Sequence, residues 1–321
     1  MAVQELSTDD ASELLDDVID EISGAVIVER SFLETVLVGI LARGHVLLED
    51  VPGTGKTLTA QSFATALGLE FSRIQFTPDL LPNDVTGTHI FNEKDRSFEF
   101  NEGPIFSNIV LADEINRAPP KTQAAMLEAM AERQVTVEGE TRKLPEPFFV
   151  MATQNPVEQE GTFPLPEAQV DRFAIKSSLG YPDIDGEKEL LRRRAGRTEM
   201  VPSVSQVLQK GDAQALQQVP ERVTVDEDMI SYIAEITQAT RNHHQVRVGI
   251  SPRGTQRLFE ASRAMAVIND RDYVTPDDVK GIALASQSHR LVLTAEAQVN
   301  DVQKRDVMSE IIDEVPVPTV E

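Results

Sequence analysis

Apolar residues recur at helical spacing over residues 12–24 (Leu14, Leu15, Val18, Ile19, Ile22) and 31–42 (Phe32, Val36, Leu37, Ile40, Leu41). This rhythm predicts two helices, each with one buried face. An unbroken apolar run follows, His45-Val46-Leu47-Leu48-Glu49, then a glycine-rich turn, then helical spacing again from Leu58 to Leu67. The order is strand, loop, helix. Further strands are predicted at Phe71–Phe76, Ile109–Ala112, Phe148–Ala152 and Ala174–Leu179. Their short and mostly continuous apolar character suits a parallel sheet covered on both faces. Helical stretches separate some of them, most clearly Lys121–Arg133. The alternation predicts an α/β core with helices on both sides. Two segments read as inserted hairpins: Ile90–Phe100, with its turn at Glu93-Lys94-Asp95, and Gln134–Leu144, where Val135 and Val137 alternate with polar residues before Glu138-Gly139.

After about Tyr181-Pro182 the strand signals stop. Helical patterns follow over 186–196, 203–217, 226–241, 252–269, 275–288 and 302–313. Thr275-Pro276-Asp277-Asp278 is a strong helix start, with a capping Thr, Pro in the first turn and acids near the positive end of the helix. These patterns predict a core over residues 1–180 and a separate helical domain over 181–321. The Pro-containing tail Val315–Glu321 is expected to be loosely held.

Composition narrows the class. Hydrophobic residues are 40% and charged residues 26% of 321, as in a folded domain protein. No apolar run reaches the ~20 residues that cross a bilayer. The opening MAVQELSTDDASELLDD is acidic and lacks the apolar stretch of a secretory signal, so a cytoplasmic protein is expected. Cysteine is absent, which excludes disulfides and thiolate metal sites. The five His show no metal spacing, and His243–His244 reads as a solvent-facing pair. The formal charge is −23, from 53 acidic against 30 basic residues. Such a surface repels nucleic-acid phosphates and anionic lipid, so neither partner is expected. An acidic partner-binding face is one reading of this charge. A whole-surface adaptation to high salt is the favoured one, because screening by salt lowers self-repulsion.

The chemistry centres on Pro52-Gly53-Thr54-Gly55-Lys56-Thr57, placed between a strand and a helix. A loop with little side-chain bulk lets backbone N–H groups point at phosphate oxygens, and the following helix adds its positive end. Lys56 is assigned to the β/γ-phosphates of a nucleotide and the Thr57 hydroxyl to Mg²⁺. The binding segment is taken through Leu58. The usual pattern has Gly at the position of Asp50, so the match is incomplete. Ile109-Val110-Leu111-Ala112-Asp113-Glu114 is an apolar strand ending in two carboxylates. Asp113 is assigned to the magnesium and Glu114 to the attacking water. Phe148 to Pro156 is again a buried strand ending in polar residues, where Asn155 is read as a contact to the water or γ-phosphate, or else as a turn residue before Pro156. Arg172 and Arg253 complete the set as guanidiniums suited to charge building on a transferring phosphoryl group; surface salt bridging is the plainer role.

These residues resemble an AAA+ ATPase. The stretch Asp113-Glu114-Ile115-Asn116-Arg117-Ala118-Pro119-Pro120-Lys121-Thr122-Gln123, with Val51-Pro52-Gly53, Ala152–Pro156 and Gly161 to Phe173, narrows the resemblance to the MoxR family, from about residue 26 to the end. It implies a P-loop core with a parallel five-stranded sheet, inserted β-hairpins (a helix-2 insert and a pre-sensor hairpin) and an all-helical C-terminal lid. It also implies ATP and Mg²⁺ as ligands and a homo-oligomeric ring, usually a hexamer, with ATP at subunit boundaries. Asn155 would be sensor 1, Arg172 an arginine finger in the neighbour's site, Arg253 sensor 2 in its own or a neighbour's site, and Val28 would lie near the adenine. The resemblance implies chaperone-like remodelling of a client enzyme with a von Willebrand factor A domain partner. Alternatives are the motor subunit of a metal chelatase, a DNA-translocating helicase motor, and a nucleotide-gated scaffold without turnover. The short stretch ahead of the core and the bulk charge weigh against a helicase, the carboxylate pair against the scaffold, and the lack of an Asn-Lys-x-Asp motif against GTP.

Overall fold

The computed structural model describes residues 6–94, 96–155 and 161–318. The chain starts with α1 (Thr8–Ala25), capped by Ser7, whose side chain accepts from the Asp10 amide while the Asp10 carboxylate reaches back to Ser7. It buries Leu15, Val18, Ile19 and Ile22. α2 (Arg30–Leu41) buries Phe32, Val36, Leu37, Ile40 and Leu41, the face the spacing predicts.

The core sheet takes its strands from β1 (Val46–Glu49), β2 (Phe71–Gln75), β5 (Ile109–Asp113), β8 (Phe149–Gln154) and β9 (Ile175–Ser177). All pairings are parallel, in the order β2-β5-β8-β1-β9. Alternate residues serve opposite faces. Val46, Leu48, Ile109, Leu111 and Met151 enter a cluster with α1, α2 and α3 (Lys56–Ala66), while Leu47, Val110, Ala112, Val150 and Ala152 meet Met126, Leu127 and Met130 of α5 (Pro120–Glu132). The two buried faces explain the unbroken apolar runs in the sequence.

Between β2 and β5, α4 (Pro82–Thr86) leads into the hairpin β3 (Gly87–Asn92) and β4 (Ser97–Glu102), longer at each end than the sequence suggested. Asp95 of its expected turn lies outside the described residues. The second hairpin pairs β6 (Gln134–Val137) with β7 (Glu140–Lys143). Its turn is the expected Glu138-Gly139, both at positive φ (52° and 87°), as two-residue hairpin turns of the favoured hand require. A short α6 (Glu167–Val170) precedes β9.

The C-terminal part is helical: α7 (Ile184–Gly196), α8 (Lys210–Leu216), α9 (Glu227–Asn242), α10 (Pro252–Ile268), α11 (Pro276–Gln287), α12 (Ala295–Val299) and α13 (Lys304–Glu314). A small antiparallel ribbon, β10 (Val246–Val248) with β11 (Val292–Leu293), is added to them. It is too short to leave a periodic signal. Of the expected helix over 203–217, only α8 forms. The chain before it is drawn onto the end of α3, where the Val207 and Leu208 amides both donate to the Ala66 carbonyl. Two smaller expectations hold only in part: His244 is exposed as expected and so are Pro316 and Val317 of the tail, whose residues 319–321 lie outside the described residues. The His243 side chain is 7% exposed and stands beside Glu310 rather than facing solvent. Val315 is buried, so the tail is held at its start. No described helix is long and apolar enough to cross a membrane.

Candidate active site

Parallel strands present all their C-terminal ends on one edge, and strand order decides which ends meet. β5, β8 and β1 are neighbours. The loop after β1, the Asp113-Glu114 pair ending β5 and Asn155 after β8 therefore lie side by side. The register sets Glu49 opposite Gln154, and the Asp50 amide donates to the Gln154 carbonyl at 3.3 Å.

The loop Asp50–Gly55 turns on Gly53 (φ 88°) and Gly55 (φ 93°), conformations that residues with a Cβ rarely adopt. A Cβ at either would meet nothing within 4 Å, so both glycines face open space. Pro52 and Gly53 are exposed, Thr54 to Leu58 half-buried. Gly55 caps α3, whose first residues are Lys56 and Thr57. Lys56 Nζ donates to the Asp50 carbonyl (2.9 Å) and the Val51 carbonyl (3.1 Å), so the ammonium is folded back over the loop. Leu58 packs on the main core. Val28 is half-buried on that core, and its neighbour Ile27 lies beside the start of α7, where a Cβ on Gly186 would meet Ile27 Cγ2 at 3.3 Å.

Asp50, the residue that departs from the usual loop pattern, is buried and serves as an anchor. Its carboxylate accepts from Ser178 Oγ (2.7 Å), the Leu179 amide (2.7 Å) and the Gly180 amide (3.0 Å). These residues follow β9 and lead toward α7. The phosphate-loop position is thereby tied to the segment that joins core and helical part.

Asp113 is buried at the end of β5. Its Oδ1 accepts from Thr153 Oγ1 (2.7 Å) and its Oδ2 from Arg73 Nε (3.1 Å) and Nη2 (2.6 Å). Glu114 sits in left-handed backbone (φ 58°), held there by its amide donating to Thr153 Oγ1 at 2.8 Å. Its Oε2 accepts from Gln75 Nε2 (2.8 Å) and Arg117 Nη1 (3.0 Å). One fully buried hydroxyl, Thr153, thus holds the Asp113 carboxylate and the Glu114 backbone. Asn155 is buried at 7% exposure; Pro156 lies outside the described residues.

Sequence reasoning missed Asp50 as an anchor, and missed Arg73, Gln75, Arg117 and Thr153. The available signals were weak ones: three polar residues among the five of β2 and one hydroxyl inside the apolar part of β8.

The two arginines lie elsewhere. β9 runs parallel to β1, and Arg172 precedes β9, so it stands at the N-terminal edge of the sheet. The Ala174 amide there bonds the His45 carbonyl, ahead of β1. Arg172 Nη1 donates to the Leu127 carbonyl of α5 at 2.6 Å. The three residues of β9, Ile175–Ser177, roughly 10 Å of strand, run from that edge to the edge that carries the glycine loop. Arg253, exposed at the start of α10, belongs to the same region: the adjoining Gly254 is packed against Arg290, which itself bonds Asp171 and Phe173 on either side of Arg172. The structure brings Lys56, Thr57, Asp113, Glu114 and Asn155 together and leaves Arg172 and Arg253 away from them.

His45 sits under the sheet. Its Nδ1 accepts from the Val150 amide (3.0 Å), its Nε2 faces the Met130 carbonyl (3.1 Å), and burial pushes its pKa down to about 3. A neutral ring with both nitrogens engaged is a structural group, not a catalytic one.

The donor set suits a magnesium–nucleotide complex. A hydroxyl and a carboxylate are hard oxygen ligands of the kind Mg²⁺ takes beside phosphates. The open glycine loop, the helix N-terminus and Lys56 are of the kind that could supply charge and N–H groups to phosphates.

Comparison with known proteins agrees with this geometry. Residues 45–175 match the ATPase family associated with various cellular activities (AAA), and residues 238–311 match the AAA lid domain. The chain is 47% identical to the uncharacterized protein YeaC of Bacillus subtilis, over 99% of this chain and 98% of that one. It is 42% identical to the chaperone MoxR1 of Mycobacterium tuberculosis, over 95% and 83%. A crystal structure from Cytophaga hutchinsonii, described as an ATPase, superposes with a TM-score of 0.90 at 41% identity, covering 96% of each chain.

Proposed function

Since the chain belongs to the MoxR family of AAA+ ATPases and is an ATP hydrolase with chaperone-like relatives, we propose that it works as a homo-oligomeric ring whose ATP sites are each completed by two subunits. The observation that carries this reading is the split of the site residues between opposite edges of one parallel sheet. One subunit would offer the loop Pro52–Leu58, Asp113, Glu114 and Asn155, and its neighbour would offer Arg172 and Arg253. Val28 would line the adenine side. The reading keeps residues 1–180 as the nucleotide-binding core and 181–321 as the lid.

In this mechanism Thr57 and Asp113 would hold Mg²⁺, which supplies charge neutralisation on the phosphates when bound. Lys56 exchanges its two loop carbonyls for phosphate oxygens. Glu114 accepts a hydrogen bond from the attacking water, its backbone fixed by Thr153. Asn155 orients that water. The neighbour's guanidiniums stabilise the charge that develops on the transferred phosphoryl group. The energy released would drive remodelling of a client enzyme in the cytoplasm, with a von Willebrand factor A domain protein as partner; the name of the mycobacterial relative supports the chaperone part.

Three variants test the site. Lys56→Ala should abolish ATP affinity in calorimetry. Glu114→Gln should bind ATP and stall. Arg172→Ala should bind ATP without turnover and regain turnover when mixed with Glu114→Gln subunits. Absence of recovery in that mixture would place the finger within one chain and end the shared-site reading. Proteins retained by the Glu114→Gln variant identify the client.

A further inference from the structure

We propose that Arg290 is a positioning residue for the neighbour's active site, locking Arg172 and Arg253 into one block so that both reach across the interface in fixed relation. The inference rests on the shared-site reading above.

Arg290 ends a 3-10 turn after α11, and its side chain is 1% exposed. Its whole guanidinium fork is engaged. Nε donates to the Ser286 carbonyl (2.9 Å), Nη1 to the Asp171 carbonyl (2.8 Å) and the Asp171 carboxylate, and Nη2 to the Phe173 carbonyl (2.8 Å). The acceptors on the core side bracket Arg172 from both neighbours in sequence. The remaining acceptor belongs to the helical part.

The same side chain supports the start of α10. A Cβ on Gly254 would lie 3.0 Å from Arg290 Cδ and 3.3 Å from Gln287 Oε1, so Gly254 is pressed onto this pair. Gln287 Nε2 also donates to the Gly254 carbonyl (3.1 Å). Gly254 follows Arg253 directly. Arg290 and Gln287 therefore touch the chain next to both arginines. Burial pushes the Arg290 pKa down, Asp171 raises it, and the charges of Arg257 and Arg253 lower it again.

A buried cation is a poor way to gain stability, since apolar packing of the same volume is often as good or better. A planar fork with fixed donor directions is a good way to set geometry. Asp171, Arg172 and Phe173 are bound to the helical part through this fork, so a movement of that part against its own nucleotide loop carries Arg172 and Arg253 together.

The test uses the full chain. Arg290→Met should lower kcat by about 10–100-fold, the scale of misplacing a reacting group by about 1 Å. Its KM and ATP affinity should stay within about two-fold of the parent, because the nucleotide loop lies at the other edge. Mixing with Glu114→Gln subunits, which carry an intact arginine block, should restore turnover at the Arg290→Met sites. Asp171→Asn, a shape-conserving change at a partly exposed residue, should give a milder loss in kcat alone, and it carries the test if Arg290→Met does not fold. Unchanged kcat in a folded variant overturns the proposal. So does failed recovery in the mixture when Arg172→Ala recovers beside the same Glu114→Gln partner. If the Arg172→Ala control fails too, the shared-site reading has fallen and this inference with it.

Discussion

Replacing Asp50 by Gly would restore the commonest form of the phosphate-loop pattern, and the structure says that the restored form is worse. Asp50 does not need glycine's freedom, since it is absent from the positive-φ positions of the chain. Its carboxylate is the shared acceptor for Ser178, Leu179 and Gly180. Hydrogen bonds to a charged group contribute about 1.5–3 kcal/mol each when fully shielded. Here Ser178 and Gly180 are exposed, so water can replace part of what is lost. A net loss of ~2–4 kcal/mol follows from that discount, and the added backbone freedom of glycine brings roughly another 1 kcal/mol. With an unfolding entropy of about 2.1 cal/mol/K per residue, a chain of this length changes by ~0.7 kcal/mol per degree, so the melting temperature should fall by ~4–7 °C. Scanning calorimetry of Asp50→Gly beside Asp50→Asn measures this, and the Asn variant, keeping one acceptor oxygen, should fall between. ATP affinity should drop with stability, because the loop loses its tether to the segment after β9. A glycine variant that melts at or above the parent temperature, or binds ATP more tightly, would refute the anchoring role.

Thr153→Val keeps shape and removes one hydroxyl that serves Asp113 and the Glu114 amide; a loss of about 1–3 kcal/mol in stability is expected, with kcat falling further than ATP affinity, and parental kinetics would argue against Thr153 as organiser. The buried His45 has a folded pKa of about 3 against 6.5 when unfolded, and His289 is shifted the same way, burial being the main cause for both. The fold holds these rings neutral, so their stability is complete above pH 6.5 and is lost as pH falls toward 3, His45 alone accounting for ~2 kcal/mol by pH 5; chemical denaturation at pH 7 and 5 checks this, and equal stabilities would contradict it. The charge of −23 predicts a melting temperature that rises as NaCl goes from roughly 0.05 to 1 M, over which the screening length shrinks several-fold; no salt dependence would remove the high-salt explanation of the acidity.

The catalytic loop and the strand ending in Asp113-Glu114 were legible in the sequence because local chemistry fixes them: glycines at positive φ, a lysine at a helix start, carboxylates at the end of an apolar strand. The three inner strands, β1, β5 and β8, were legible because they are buried on two faces. What stayed hidden depends on which strands become neighbours. Arg73 and Gln75 matter only because β2 pairs with β5, and Thr153 only because β8 lies on the other side. Asp50 looked like a defect in a pattern until its partners on 178–180 were known. Arg290 left no signal, since its acceptors on Asp171 and Phe173 lie more than a hundred positions away. The failed helix over 203–209 has the same origin: local propensity was overridden by attachment to the end of α3.

The separation of Arg172 from the glycine loop also gives each molecule a polarity. On the shared-site reading proposed above, a solitary chain would own two unmatched halves, a socket on one flank and a plug on the other. On that reading a linear row of subunits would leave its terminal socket empty, whereas head-to-tail closure would fill every one. Dilution should therefore depress turnover per chain more steeply than it depresses ATP binding, and the catalytic rate becomes a gauge of how many circles are shut.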